Sequence, residues 1–222
     1  MKLTIINPNS TVSMTEKIVA AARAAVHPDI EIEGRTCHDS PPAIETPEDD
    51  AAAVPHVLSA VRAAEAAGAE AAVIACFDDP GLREARAEVS IPVIGIGEAA
   101  FHAAALLGRP WSVVTTTATA LPGMRKNVTD YGLNANCVQV RACNIRVLDL
   151  ERAGSGATEK VSAEIASAVS EDGAGTVTLG CAGMADLAAD LSTAHGITVI
   201  DGVSVAAQMA VILAGLGKSP KG

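Results

Sequence analysis

The chain is nearly devoid of aromatic residues: one Trp, one Tyr and two Phe in 222 residues, or 2%. Its core must be built from Ala, Val, Ile and Leu, and it has few rings on which to stack nucleic-acid bases. Basic charge is also scarce. A net charge of −10 without a basic stripe excludes the electrostatic footprint of a nucleic-acid binder. The acidity favours solubility more than it names a partner. No apolar run approaches the ~20 residues of a membrane span. The opening Met1–Asn9 lacks the apolar segment of a signal peptide and reads as a first strand. The histidines are scattered, and Cys37, Cys137 and Cys143 form no metal-type pair, so no metal is expected. There is no P-loop and no nucleophile elbow. Gly95-Ile-Gly97 lacks the third glycine of a dinucleotide fingerprint and reads as a tight strand-to-helix turn, so no cofactor is expected. Five cysteines, an odd number, point to a reducing compartment and a cytoplasmic location.

What is present is a well-formed α/β pattern. The chain is 49% hydrophobic and 19% charged, the balance of an ordered globular protein. Its length suits one large domain or two of about 100 residues. Strand-like runs alternate with helical segments throughout, from Lys2–Asn7 and a helix over 11–26 to a last helix over 203–216. That alternation predicts parallel sheets flanked by helices.

The pattern then repeats. Cys76 and Cys181 each follow an apolar run and lie 105 residues apart, as do Leu82 and Leu187. Ile91-Pro-Val-Ile94 and Ile197-Thr-Val-Ile200 are offset by 106, and Ile5-Ile-Asn-Pro-Asn9 and Val113-Val-Thr-Thr-Thr117 by 108. We read a tandem duplication of a four-stranded α/β unit.

Ligands bind outside the carboxyl ends of strands in open parallel sheets. The loops at those ends are Asn7-Pro-Asn-Ser10, Cys76-Phe-Asp-Asp79, Thr115-Thr-Thr117 and Cys181-Ala-Gly183. If the halves face each other, all four converge on one cleft. Asn9 and Ser10 either cap the following helix or present polar groups to a ligand, and Thr115 and Thr116 carry the same ambiguity. Each of Cys76 and Cys181 is either a small core residue or a proton-transfer group. The duplication favours the second reading. A helix start following each cysteine would lower its thiol from ~8.5 toward neutrality. Backbone N–H groups after each cysteine, at Phe77, Asp78, Ala182 and Gly183, are candidate donors to a developing oxyanion. Asp79 reads as a cap for the helix at Pro80, while Asp78 is placed to reach the cleft. Glu98 is either a carboxylate favoured at a helix N-terminus or a supporting group of the site; His102 and His195 read as ordinary helix and loop residues. The scarcity of aromatics points to an aliphatic substrate pocket.

Asn7-Pro-Asn-Ser10, Ala75-Cys76-Phe77-x-Asp79-Pro80-Gly81, Gly95-Ile-Gly-Glu98 and Leu179-Gly-Cys181-Ala-Gly-Met184 resemble the hydantoin racemases of the aspartate/glutamate racemase superfamily. The resemblance covers essentially the whole chain, and the cysteine contexts are its most specific part. It implies two pseudo-symmetric lobes, each a four-stranded parallel sheet flanked by helices, with the active site between them. The lobes would comprise 1–97 plus 205–222, and 98–204. It implies cofactor-independent racemisation of a small molecule, a 5-monosubstituted hydantoin, by Cys76 and Cys181 in a homo-oligomer. Relatives in that superfamily act on allantoin, decarboxylate arylmalonates or isomerise maleate. The decarboxylases keep one of the two cysteines, so retention of both favours racemisation. An allantoin racemase, an amino-acid racemase and a bilobed ligand-binding domain without catalysis are the alternatives.

Overall fold

A computed structural model describes residues 1–216; residues 217–222, the end of the expected first lobe, lie outside the described residues. Two four-stranded parallel sheets are present, with strand orders β2-β1-β3-β4 and β6-β5-β7-β8. The first contains β1 (Lys2–Asn7), β2 (Glu31–Thr36), β3 (Ala71–Ile74) and β4 (Val93–Gly95). The second contains β5 (Trp111–Thr115), β6 (Cys137–Ala142), β7 (Thr176–Leu179) and β8 (Thr198–Asp201). The identical order in both sheets is the structural form of the 105–108-residue offset. The central strands β3, β5 and β7 are buried along their whole length, because helices cover both faces of a parallel sheet.

Seven helices connect the strands and an eighth ends the described chain: α1 (Val12–Ala25), α2 (Pro47–Ala66), α3 (Leu82–Glu88), α4 (Ile96–Leu106), α5 (Leu121–Asp130), α6 (Ala157–Asp172), α7 (Ala188–His195) and α8 (Gly202–Leu216). α2 has a clear start signal. Thr46 accepts from the Asp49 N–H while the Asp49 carboxylate accepts from the Thr46 N–H, and Pro47 opens the first turn. The sequence predicts a helix over 183–191. Instead a 3₁₀ helix, Ala182–Leu187, leads into α7. None of the described helices is long and apolar enough to cross a membrane.

Three clusters of buried side chains form the core. Val57, Val61, Leu82 and Ala85 fill the outer face of the first sheet, and Val161, Ile165 and Leu191 that of the second. The largest cluster lies between the sheets and joins Leu3 and Ile5 of one to Trp111 and Val113 of the other. α8 closes it, packing on α1, α4 and β3. The two halves therefore share a core rather than folding around separate ones.

All four aromatics gather at that junction. Phe77 meets Phe101 edge to face at 5.2 Å between centroids, and Phe101 stacks on Trp111 at 5.4 Å and approaches Tyr131 at 6.3 Å. Burying rings of this size contributes on the order of 2–3 kcal/mol each.

Asp79 locks the same junction. It does not cap the helix that follows it in sequence. Its carboxylate accepts from the N–H groups of Gly97 at 3.0 Å and Glu98 at 2.7 Å, which begin α4, and from the Tyr131 hydroxyl at 2.8 Å. Asp79 itself sits in the left-handed region, at φ 55°, a conformation Asp tolerates better than most residues. Gly97 is required by this arrangement, since a Cβ there would lie 2.3 Å from the Phe77 carbonyl oxygen. Gly97→Ala is therefore expected to destabilise the fold by about 2 kcal/mol or more, read as a lower thermal midpoint. A midpoint equal to the parent's would contradict the close approach.

Candidate functional site

In this strand order the crevice opens where the chain's connections diverge, at the carboxyl ends of β1 and β3 and of β5 and β7. The candidate residues follow those four strands. Cys76, Phe77 and Asp78 come after β3, Cys181 and Ala182 after β7, Asn9 after β1, and Thr115 and Thr116 at the end of β5; all line one chamber between the two sheets. The chamber is small, about 30 Å³. Two sequence candidates stand apart from it. Ser10 donates its N–H to the Pro41 carbonyl, and Gly183 opens onto a neighbouring cleft beside α6.

The two cysteines have matching surroundings. Each sulfur is met by the backbone N–H two residues on, that of Asp78 for Cys76 and that of Gly183 for Cys181. Among the described residues, the intervening N–H groups of Phe77 and Ala182 have no protein acceptor. Each half thus offers one thiol and one free backbone donor to the chamber, and a buried free donor calls for a ligand.

The expectation of lowered thiols fails. Phe77–Gly81 is a turn, and α3 begins only at Leu82, so no helix N-terminus reaches Cys76. Cys181 precedes a 3₁₀ helix rather than an α-helix. Burial dominates: it pushes the Cys76 thiol well above its ordinary value, with the Asp78 carboxylate adding to the rise. Burial pushes Cys181 up to about 12 against the help of the Gly183 N–H. Both thiols are neutral in the ligand-free site near pH 7.

The polar loops divide between scaffold and ligand contact. Asn7 is fully buried, and its amide donates to Asn9 Oδ1 at 2.9 Å, the Thr11 carbonyl at 3.1 Å and Thr15 Oγ1 at 2.9 Å. Asn9 Oδ1 also accepts from the Thr11 N–H. That network holds the loop at the start of α1, while Asn9 still faces the chamber. Thr115 spends its hydroxyl on the Gly180 carbonyl at 2.9 Å. Thr116 is buried, and its hydroxyl has no protein partner among the described residues. The Phe77 ring is committed to the aromatic junction and is 2% exposed, so this residue supports the floor. Glu98 is held by Arg86 away from the chamber, and His195 pairs with Ser162.

Several contributors were not found from the sequence. Ile44 and Val147 cover the chamber from opposite halves, and Ala120 and Met14 complete its wall. Glu45 joins the cover, accepting from the Val147 N–H at 2.5 Å and, through its carbonyl, from the Thr119 hydroxyl at 2.6 Å. These residues lie in loops without a motif and meet only in the folded chain. Cys37 and Cys143 form a further equivalent pair: their N–H groups donate to the carbonyls of Asn7 and Thr115 at the ends of β1 and β5. Their 106-residue offset was a legible signal of the duplication. No cluster of three His, Cys, Asp or Glu side chains suited to a metal occurs among the described residues.

Raised thiols have a direct consequence for reactivity, since only the thiolate is alkylated. In the ligand-free protein at pH 7, iodoacetamide should label Cys76 and Cys181 at least about 100-fold more slowly than an exposed cysteine. Labelling should climb about tenfold per pH unit above pH 8. Peptide mass spectrometry separates the sites; a plateau below pH 8 would show lowered thiols instead.

The chain is similar to known proteins over its whole length. The Asp/Glu/Hydantoin racemase family model matches residues 3–210. A hydantoin racemase of Rhizobium meliloti is 43% identical over 98% of this chain and 90% of its own. One of Pseudomonas sp. (strain NS671) is 37% identical over 98% of this chain and 88% of its own. The solved structure of an allantoin racemase from Klebsiella pneumoniae superposes with a TM-score of 0.95 at 41% identity, covering 100% of this chain and 90% of that one. The matched family, the full-length identity and the shared architecture agree: the chain belongs to the Asp/Glu/hydantoin racemase family.

Proposed function

We propose that the protein racemises 5-monosubstituted hydantoins without a cofactor, with Cys76 and Cys181 exchanging a proton with C5 from opposite faces of the ring. The observation that carries this reading is the duplicated site itself. One thiol from each half lines a single chamber, each with an N–H on its sulfur and a free N–H beside it. Names borne by full-length relatives point to the same chemistry.

The C5 hydrogen lies next to a carbonyl, so removing it leaves an enolate. One cysteine gives its thiol proton to solvent as the substrate binds and, as thiolate, takes the C5 proton. The pair of electrons from the C–H bond moves onto the carbonyl oxygen, where the N–H groups of Phe77 and Ala182 and the Thr116 hydroxyl are the available donors. Such preorganised donors are worth ~3–4 kcal/mol each when well aimed. The other cysteine, as thiol, then protonates C5 from the far side. A buried thiol of high pKa makes a strong base once ionised, which suits a weakly acidic C–H. The reverse enantiomer uses the same pair with roles exchanged, and the equivalence of the halves serves a reaction that must run equally well in both directions.

Allantoin is a hydantoin whose C5 carries a ureido group, and it presents the same imide to the same thiols; the Klebsiella pneumoniae relative favours this second substrate. A homo-oligomer in the cytoplasm completes the reading. Leu106 on α4 and Ile212 and Leu216 on α8 are largely exposed, an apolar surface suited to a second copy.

Cys76→Ser and Cys181→Ser should each lower racemisation by about 10³-fold or more, since a Ser hydroxyl is a far poorer base. Polarimetry on an enantiopure 5-alkylhydantoin measures this. Near-normal racemisation in either variant would sink the two-cysteine scheme.

A further inference from the structure

Two neutral, buried thiols cannot take a proton from C5 until one of them loses its own. Solvent can accept that proton, but a nearer group lines the same chamber. Asp78 stands in the wall with both cysteines, two residues after Cys76. The equivalent place in the other half, two residues after Cys181, holds Gly183. The chamber therefore combines two thiols with a single carboxylate among its described lining residues.

Asp78 also lines a second cavity, about 230 Å³, between the start of α2 and the start of α5. Asp50 lines it too, and its Oδ1 is buried with no hydrogen-bond partner. Among the described residues no protein donor reaches the Asp78 carboxylate; the Asn127 amide is spent on its backbone carbonyl. A buried carboxylate without donors or a counter-charge holds a proton more readily than an exposed one. Burial pushes the Asp78 carboxyl up to about 7, with the Asp50 charge adding to the rise. Burial raises Asp50 as well, with the Glu84 charge adding. The other charged groups of the cavity have partners: Glu45 accepts from the Val147 N–H, and Lys126 is held by Asp130. In return, the Asp78 charge raises both thiols, so the carboxylate acts on both sulfurs. Asp50 further borders an outer cleft with Arg83 and Glu84, so a proton on the two carboxylates can exchange with solvent. The aliphatic pocket expected from the scarcity of aromatics is interrupted by this ionisable wall.

We propose that Asp78 is the immediate acceptor of the thiol proton, serving both cysteines in turn, and that Asp50 tunes it. The inference rests on the racemase reading and adds a residue to it. The S–H bond of the first cysteine breaks and an O–H bond forms on Asp78. The thiolate then takes the C5 proton, and the second cysteine gives its own proton to the opposite face. The second cysteine is left as thiolate, and the proton held by Asp78 returns to it, which restores two thiols and one carboxylate. No direct hydrogen bond joins either sulfur to the carboxylate among the described residues, so each transfer uses a bridging water. The chamber, at about 30 Å³, has room for one. Asp78 acts through the thiols and does not touch C5.

The test follows kcat/KM for enantiopure 5-isobutylhydantoin from pH 5.5 to 8.5 in the full-length protein, with an enzyme-free control. An acceptor must be ionised to work, so the parent should rise about tenfold per unit below pH 7 and level off above it. Asp78→Asn should lower kcat/KM about 100-fold at pH 7 and climb through pH 8.5 without a plateau. In the same variant iodoacetamide should label Cys76 faster, because a like charge has gone. A more reactive thiol in a slower enzyme is the signature of a lost acceptor; a charge that merely raises the thiol would give a faster one. Asp78→Glu should restore the plateau. Asp50→Asn removes the charge that raises Asp78, so the rising limb should move to lower pH. Its kcat/KM at pH 6, relative to its own plateau, should increase about threefold or more. This arm holds even if Asp78→Asn fails to fold. A parent rate that climbs through pH 8.5, an Asp78→Asn variant as fast as the parent, or a limb unmoved by Asp50→Asn would overturn the role of Asp78. Each would leave the racemase reading intact. Absence of deuterium entry at C5 with every hydantoin in the parent protein would overturn both.

Discussion

The carboxylate of Asp79 takes hydrogen bonds from the first turn of α4 and from Tyr131 at the end of α5, and it lies three residues after Cys76. That one group ties the turn carrying the first thiol to the helix that crosses between the sheets and to the half that supplies the second thiol. The aromatic cluster beneath it gives the joint stiffness, because rings packed edge to face and stacked resist sliding. Two-sided proton transfer at one carbon needs the two sulfurs held at a fixed separation. In this chain that separation depends on a buried polar contact and four rings.

The same burial that fixes the geometry sets the chemistry. Ile44 and Val147 line the chamber that holds both sulfurs, the Glu45 contacts join the two halves beside it, and burial there raises both thiols. Duplication then makes the two ends of the chamber nearly equivalent. The wall formed by Asp78 breaks that equivalence, because its counterpart in the second half is Gly183, which has no side chain to offer.

Much of this was legible in the sequence. The buried parallel strands read as apolar runs, the restart fixed the two-sheet plan, and the cysteine contexts marked the two thiols that line one chamber. Most of the expected loop residues at the strand ends line that chamber, with Ser10 and Gly183 apart from it. What escaped was non-local. Asp79 looked like a local cap because capping is a short-range pattern, whereas its partners are 18 to 52 residues away. The elevation of both thiols was hidden because burial depends on Ile44 and Val147, which carry no motif. The shared aromatic cluster was equally invisible, although so few rings in one chain invited the question of whether they meet.

The account stands on two thiols acting from opposite faces of one carbon. The most direct test is racemisation of a single hydantoin enantiomer in D2O, with the deuterium content of substrate and product pools measured separately at low conversion. The account predicts a product fully deuterated at C5 while the remaining substrate stays largely protiated, since the proton leaves to one cysteine and the deuteron arrives from the other. Product that retains the substrate's own proton, or equal labelling of both pools from the outset, would contradict it and indicate a single base.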